Sequence, residues 1–178
     1  MGRSQYKIYE TEFPYFLTST IVDGIPLFSD PEIAQFVLSG FQYMQESKDV
    51  DMYAYVLMEN HIHFIAMHDE LIQTIQNFKS FTAHQIIDYL KNRSQYRYIQ
   101  QLKRAKLKHK SQSNYQVWQE GAHPKQISTP TMMIQKIEYI HNNPVKRGYV
   151  DLPEHWRYSS ARNYLDLQGL IPVTLYEG

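Results

Sequence analysis

His61 and His63 stand one residue apart in the run Met58-Glu59-Asn60-His61-Ile62-His63-Phe64. On a strand, side chains alternate with period two, so both imidazoles would share one face of a sheet while Ile62 enters the core on the other. Two neutral imidazoles so placed make half of a divalent-metal site. The pair alone is not specific, because a half-exposed strand can carry two unrelated histidines. Its meaning depends on what else the chain brings to that face.

A second element well downstream offers a partner. The run from Pro130 to Pro144 reads as a helix, with Thr129 as N-cap, Pro130 at the first helical position and Pro144 as the stop. At about 100° per residue, Met133, Ile134, Ile137 and Ile140 gather on a core-facing side, and Tyr139 falls opposite them with Gln135 and Asn143 one turn to either side. The chain has 15 tyrosines, and most tyrosines are packing residues. One on a polar helix face, a turn from an amide able to ligate a metal, stands apart from the rest.

Taken together, these segments resemble a known family. The Asn-His-x-His strand, the helix ending in Tyr-Ile-x-x-Asn-Pro-Val-Lys-x-Gly, the Trp118-Gln119 pair before it and the trailing Trp156-x-Tyr158-Ser159-Ser160 are similar to the REP-associated tyrosine transposases, single-tyrosine transposases of the HUH nuclease superfamily. The resemblance runs from about Tyr15 to Tyr164. It implies that His61 and His63 ligate a metal, that Tyr139 is the nucleophile, and that Asn143 is the third ligand, in the place of an Asn or Gln that relatives hold one turn after the tyrosine. Glu59 departs from the pattern, since many relatives have proline there. Trp156 to Ser160 reads as a structural clamp for the C-terminal segment.

The chemistry can also be argued from the groups themselves. Breaking a phosphodiester by attack on phosphorus needs a nucleophile, a cation to draw charge from a non-bridging oxygen, and a means of holding the strand in line. The resemblance implies that Tyr139 attacks to leave a 5′-phosphotyrosine and a free 3′-hydroxyl. The ester's energy stays in the covalent link, so rejoining to another 3′-hydroxyl needs no ATP. With no thiolate in the chain, two imidazoles and an amide oxygen suit Mg²⁺ or Mn²⁺. The expected activity is metal-dependent cleavage and transfer of single-stranded DNA near a hairpin. Two other readings stay open: a non-catalytic binder of structured nucleic acid, and an unrelated H-x-H metallohydrolase.

Net charge is formally zero, yet the charge is unevenly spread. Lys91, Arg93, Arg97, Lys103, Arg104, Lys106, Lys108 and Lys110 follow one another with no acidic residue before Glu120. Tyr96, Tyr98, Tyr115 and Trp118 are interleaved or close by, as flat surfaces on which unpaired bases could stack. This segment, with Lys146 and Arg147 beyond the tyrosine, is the expected contact for single-stranded or hairpin DNA; a solvated basic helix and loop is the blander alternative.

These groups must be positioned by one fold. The 178 residues, 43% hydrophobic and without cysteine, can bury a full core as a single domain, with its body at about 15–164 and a tail at 165–178. Neither a secretory h-region nor an apolar run near the ~20 residues of a membrane span is evident, so a cytoplasmic location is expected. Whether the chain acts as a monomer or a homodimer is open. Strands are expected at Tyr15 to Val22, Asp51 to Leu57 and His61 to Met67, the last two joined by a tight Glu59-Asn60 turn. Helices are expected at Pro31 to Ser47 and from Glu70 to about Leu90, the latter running on into the basic segment, and Val173 to Tyr176 reads as an edge strand. The order β-α-β-β-α implies an α+β fold, a ferredoxin-like antiparallel sheet with helices on one face and the histidines beneath the tyrosine helix.

Overall fold

The structure, a computed structural model, describes residues 10–109, 113–121 and 124–178. Four strands form the sheet: β1 (Tyr15–Thr20), β2 (Asp51–Leu57), β3 (His61–Met67) and the two-residue β4 (Lys125–Gln126). Four helices accompany them: α1 (Pro31–Lys48), α2 (Leu71–Asn92), α3 (Tyr96–Arg104) and α4 (Pro130–Lys146). The spatial order is β2-β3-β1-β4 with every neighbouring pair antiparallel, which is the ferredoxin-like arrangement expected.

Alternation along the strands creates two cores. Leu17, Tyr55, Leu57, Ile62, Phe64 and Ala66 point to one face and pack against α1 and α2. Phe16, Ala54, Val56, Met58 and Ile65 point to the other and meet Met133, Ile137 and Ile140 of α4. The helices therefore surround the sheet instead of lying on one face. Strands β2 and β3 bury side chains on both sides, which takes cover on both.

Other boundaries differ from expectation for identifiable reasons. The expected long helix is broken after Asn92, where Ser94 takes a left-handed conformation, φ 55°, and α3 starts anew. Thr129 caps α4 by accepting from the Met132 amide at 3.2 Å. Pro144 does not stop α4, which runs on to Lys146. Gly148 ends it, at φ 73°, with its amide on the Val145 carbonyl at 2.9 Å and that of Tyr149 on the Pro144 carbonyl at 3.0 Å. Ile134 is exposed, and Tyr139 lies on the flank of the apolar stripe, not opposite it. Val173 to Tyr176 form no strand; Thr174 alone donates to the Met52 carbonyl at 2.8 Å.

The clamp expected of Trp156 to Ser160 lies along β2. Trp156 Nε1 donates to the Leu57 carbonyl and the Leu57 amide to the Tyr158 carbonyl, both at 2.8 Å, and Ser160 Oγ accepts from the Tyr55 amide at 2.9 Å. Among the described residues, no helix is long and apolar enough to cross a membrane.

Candidate active site

The face of the sheet under α4 gathers the chemistry. His61 and His63 on β3 have ring centroids 4.8 Å apart, and both residues are buried at the level of the sheet. The Tyr139 ring, from α4, lies 5.5 Å from that of His63 within the same chain. Tyr139 is 39% exposed, so its hydroxyl is not sealed in a dry interior. Phe16 of β1 holds the group together, stacked on His63 at 5.4 Å and edge-on to Tyr139 at 5.8 Å.

Each imidazole is engaged through Nδ1. His61 Nδ1 lies 2.7 Å from Asn60 Oδ1, and His63 Nδ1 lies 2.8 Å from Thr18 Oγ1, on the residue opposite it in the β1–β3 register. Nε2 is then the nitrogen each ring has left for a ligand. Burial lowers the His61 pKa, with Glu59 opposing and Arg147 adding to the shift. Burial, His61, Arg147 and Lys136 together push His63 down to about 3. Both rings are therefore neutral near pH 7, the state in which an imidazole can donate a lone pair to a metal.

Asn143 sits one turn after Tyr139 on α4 and is buried. Two neutral imidazoles and an amide oxygen are, by their chemistry, a donor set that fits a divalent cation of the Mg²⁺ or Mn²⁺ kind. Among the described residues no cluster of three or more His, Cys, Asp or Glu side chains could hold a metal.

Positive charge rings the phenol. Lys136 Nζ lies 4.8 Å from the Phe16 centroid and 5.7 Å from that of Tyr139, and Lys146 Nζ lies 5.5 Å from the Tyr139 centroid. Lys146, expected to contact phosphate, lies beside the Tyr139 ring. Arg147 is close enough to depress both histidines, but its guanidinium is 3.7 Å from Glu59, which ties the end of α4 to the β2–β3 turn.

The basic segment is elsewhere. Arg97, Lys103 and Arg104 are on α3, whose buried Ile99 and Leu102 belong to the core on the opposite face of the sheet. Arg93 pairs with Glu32 at 3.0 Å and Lys91 lies over Tyr115, Nζ to centroid 5.3 Å. Lys106 and Lys108 follow α3, and Lys110 lies outside the described residues. Tyr96 is exposed, but Trp118 is buried against Phe28 and Phe78 and offers no surface to a base. Phe16, Thr18 and Lys136 were not anticipated from sequence. Lys136, one turn before Tyr139, carried a readable signal; the two β1 residues needed the strand register.

No family model matches the chain. A curated Haemophilus influenzae protein, provisionally named REP-associated tyrosine transposase, is 27% identical over 150 residues, covering 82% of this chain and 78% of its own. A solved REP-associated tyrosine transposase, bound to a REP hairpin, superposes with a TM-score of 0.68 at 18% identity, covering 98% of this chain and 92% of that one; at that identity the likeness concerns the fold. In sequence and in fold, then, this chain resembles the REP-associated tyrosine transposases, as its motifs led us to expect.

Proposed function

We propose that this protein is a transposase that cleaves and rejoins single-stranded DNA beside a hairpin of the REP type, with Tyr139 as nucleophile. The observation that carries the reading is the approach of Tyr139 to His63, and of His63 to His61, on one face of a single chain. The similar Haemophilus protein and the solved hairpin complex support it.

Tyr139 Oη would attack the scissile phosphorus, forming an O–P bond as the bond from phosphorus to the 3′ oxygen breaks. The phenolic proton ends on the departing oxygen, giving a 3′-hydroxyl on the upstream fragment, and the downstream fragment stays on the enzyme through its 5′-phosphate. Attack by another 3′-hydroxyl reverses the sequence and restores the phenol. A divalent cation held by His61, His63 and Asn143 would supply Lewis-acid polarisation of a non-bridging oxygen. Lys136 and Lys146 offer the phosphate positive charge, and Phe16 restricts the tilt of the phenol toward the histidines.

The deciding experiment is incubation with a labelled hairpin oligonucleotide and Mg²⁺ or Mn²⁺, followed by denaturing electrophoresis. A covalent protein–DNA adduct is expected from the natural protein and none from Tyr139→Phe. Cleavage that persists in Tyr139→Phe assigns the site to a metallohydrolase, and hairpin binding without an adduct assigns it to a non-catalytic binder.

A further inference from the structure

Asn60 lies between the two strands that form the histidine hairpin, and its amide is held at both ends. Nδ2 donates to the Gly24 carbonyl at 3.1 Å, and Oδ1 lies 2.7 Å from His61 Nδ1. The first bond fixes which way the amide faces, because a carbonyl oxygen can only accept. Oδ1 is therefore the atom turned to the imidazole, and it too can only accept. The proton between them must be on Nδ1.

The Gly24 carbonyl is itself placed by an unusual backbone. Asp23 and Gly24 are consecutive left-handed residues, with φ 54° and 64°. The Ile21 amide donates to the Asn60 carbonyl at 2.8 Å and that of Phe28 to the Glu59 carbonyl at 2.9 Å, which docks this loop on the hairpin turn. A Cβ at residue 24 would stand 3.4 Å from Asn60 Nδ2, so the loop fits closely against the amide.

We infer that Asn60 is a positioning residue that holds His61 in its Nδ1–H tautomer, leaving Nε2 as the only lone pair the ring can give. Free imidazole side chains favour the opposite tautomer, which would turn an N–H toward the ligand position. The consequence for metal binding rests on the metal-centre reading above; the tautomer does not, because it exists in the metal-free protein.

Two measurements test this. Long-range ¹H–¹⁵N correlation on metal-free protein labelled in histidine, with His61 assigned by its loss in His61→Gln, is expected to show the Nδ1–H form, and an Nε2–H form in the natural protein overturns the inference. Asn60→Asp keeps the acceptor and loses the donor to Gly24, so it is expected to retain the tautomer and Mn²⁺ binding. Asn60→Leu is expected to lose the tautomer and to weaken Mn²⁺ binding about ten- to a hundredfold. Equal Mn²⁺ affinity in Asn60→Leu and the natural protein overturns the positioning role even where the adduct still forms, whereas loss of the adduct reading would leave the tautomer result standing.

Discussion

His141 follows Tyr139 by two residues on α4, yet its surroundings give it a different role. Its Nε2 lies 2.9 Å from Ser160 Oγ, its ring meets Tyr164 edge-on at 5.2 Å, and burial lowers its pKa to about 4. A histidine held below its unfolded value of about 6.5 takes up a proton more readily in the unfolded chain. Its stabilising contribution is therefore complete above that unfolded value and is lost as pH falls toward the folded one. Between pH 7 and pH 5 the loss is about 2 kcal/mol. Denaturant unfolding of His141→Phe at the two pH values is expected to show a fall in stability smaller than the natural protein's by about that amount; an equal fall would mean that His141 takes up its proton alike in the folded and the unfolded chain. Sequence separated the histidines well at this scale. Strand parity paired His61 with His63. It gave no sign of Thr18, because a threonine becomes the partner of His63 only once β1 and β3 are in register.

The elements that carry these residues owe their positions to a few contacts. α1 and α2 cross closely at Gly40, where a Cβ would lie 2.7 and 2.8 Å from atoms of the Phe78 ring. That ring is buried and stacked on Phe41 at 5.1 Å, so it has little room to withdraw. Gly40→Ala is expected to destabilise the fold by about 1–3 kcal/mol through overpacking, although alanine is the better helix former. Urea unfolding measures this, and a gain in stability would show that Phe78 can move. Because Gly40 packs on the face away from α4, adduct formation by the folded variant should be unchanged. Strands β2 and β3 were legible to the residue, since a dense apolar run on each side of a three-residue connection leaves little choice. β4 was not: two residues have no periodicity, and their pairing is dictated by Tyr15 and Phe16 across the sheet. The break at Ser94 was also hidden, because a serine in a left-handed turn lacks the glycine or proline that usually marks one. Pro144 misled for a simpler reason, as an amide missing near a helix end removes one bond without preventing the next turn, and Gly148 provides the true stop.

For the whole molecule the question is how one DNA could meet both a site under α4 and a basic segment across the sheet. Backbone bonds give a route. The Gln116 amide donates to the Leu102 carbonyl at the end of α3, the Val22 amide to the Val117 carbonyl, and the Gln119 amide to the Thr20 carbonyl. Thr20 pairs with His61. The end of α3 is thus linked to the end of the sheet where the histidine pair begins, and a strand leaving the site there would turn toward Lys103 and Arg104. Both are exposed, and among the described residues neither pairs with a carboxylate, unlike Arg93. Phosphate contacts release counterions, so each lost contact lowers the slope of log K against log salt by about 0.7 on single strands and 0.9 on duplex. The double variant Lys103→Gln/Arg104→Gln should therefore bind a labelled hairpin more weakly and with a slope shallower by about 1.4 to 1.8, measured by anisotropy between roughly 50 and 200 mM salt. Its rate of adduct formation at saturating DNA should match that of the natural protein, whereas Lys136→Gln should slow the adduct at saturation. An unchanged salt slope in the double variant would return α3 to the solvent and leave Lys136, Lys146 and the site itself to hold the strand.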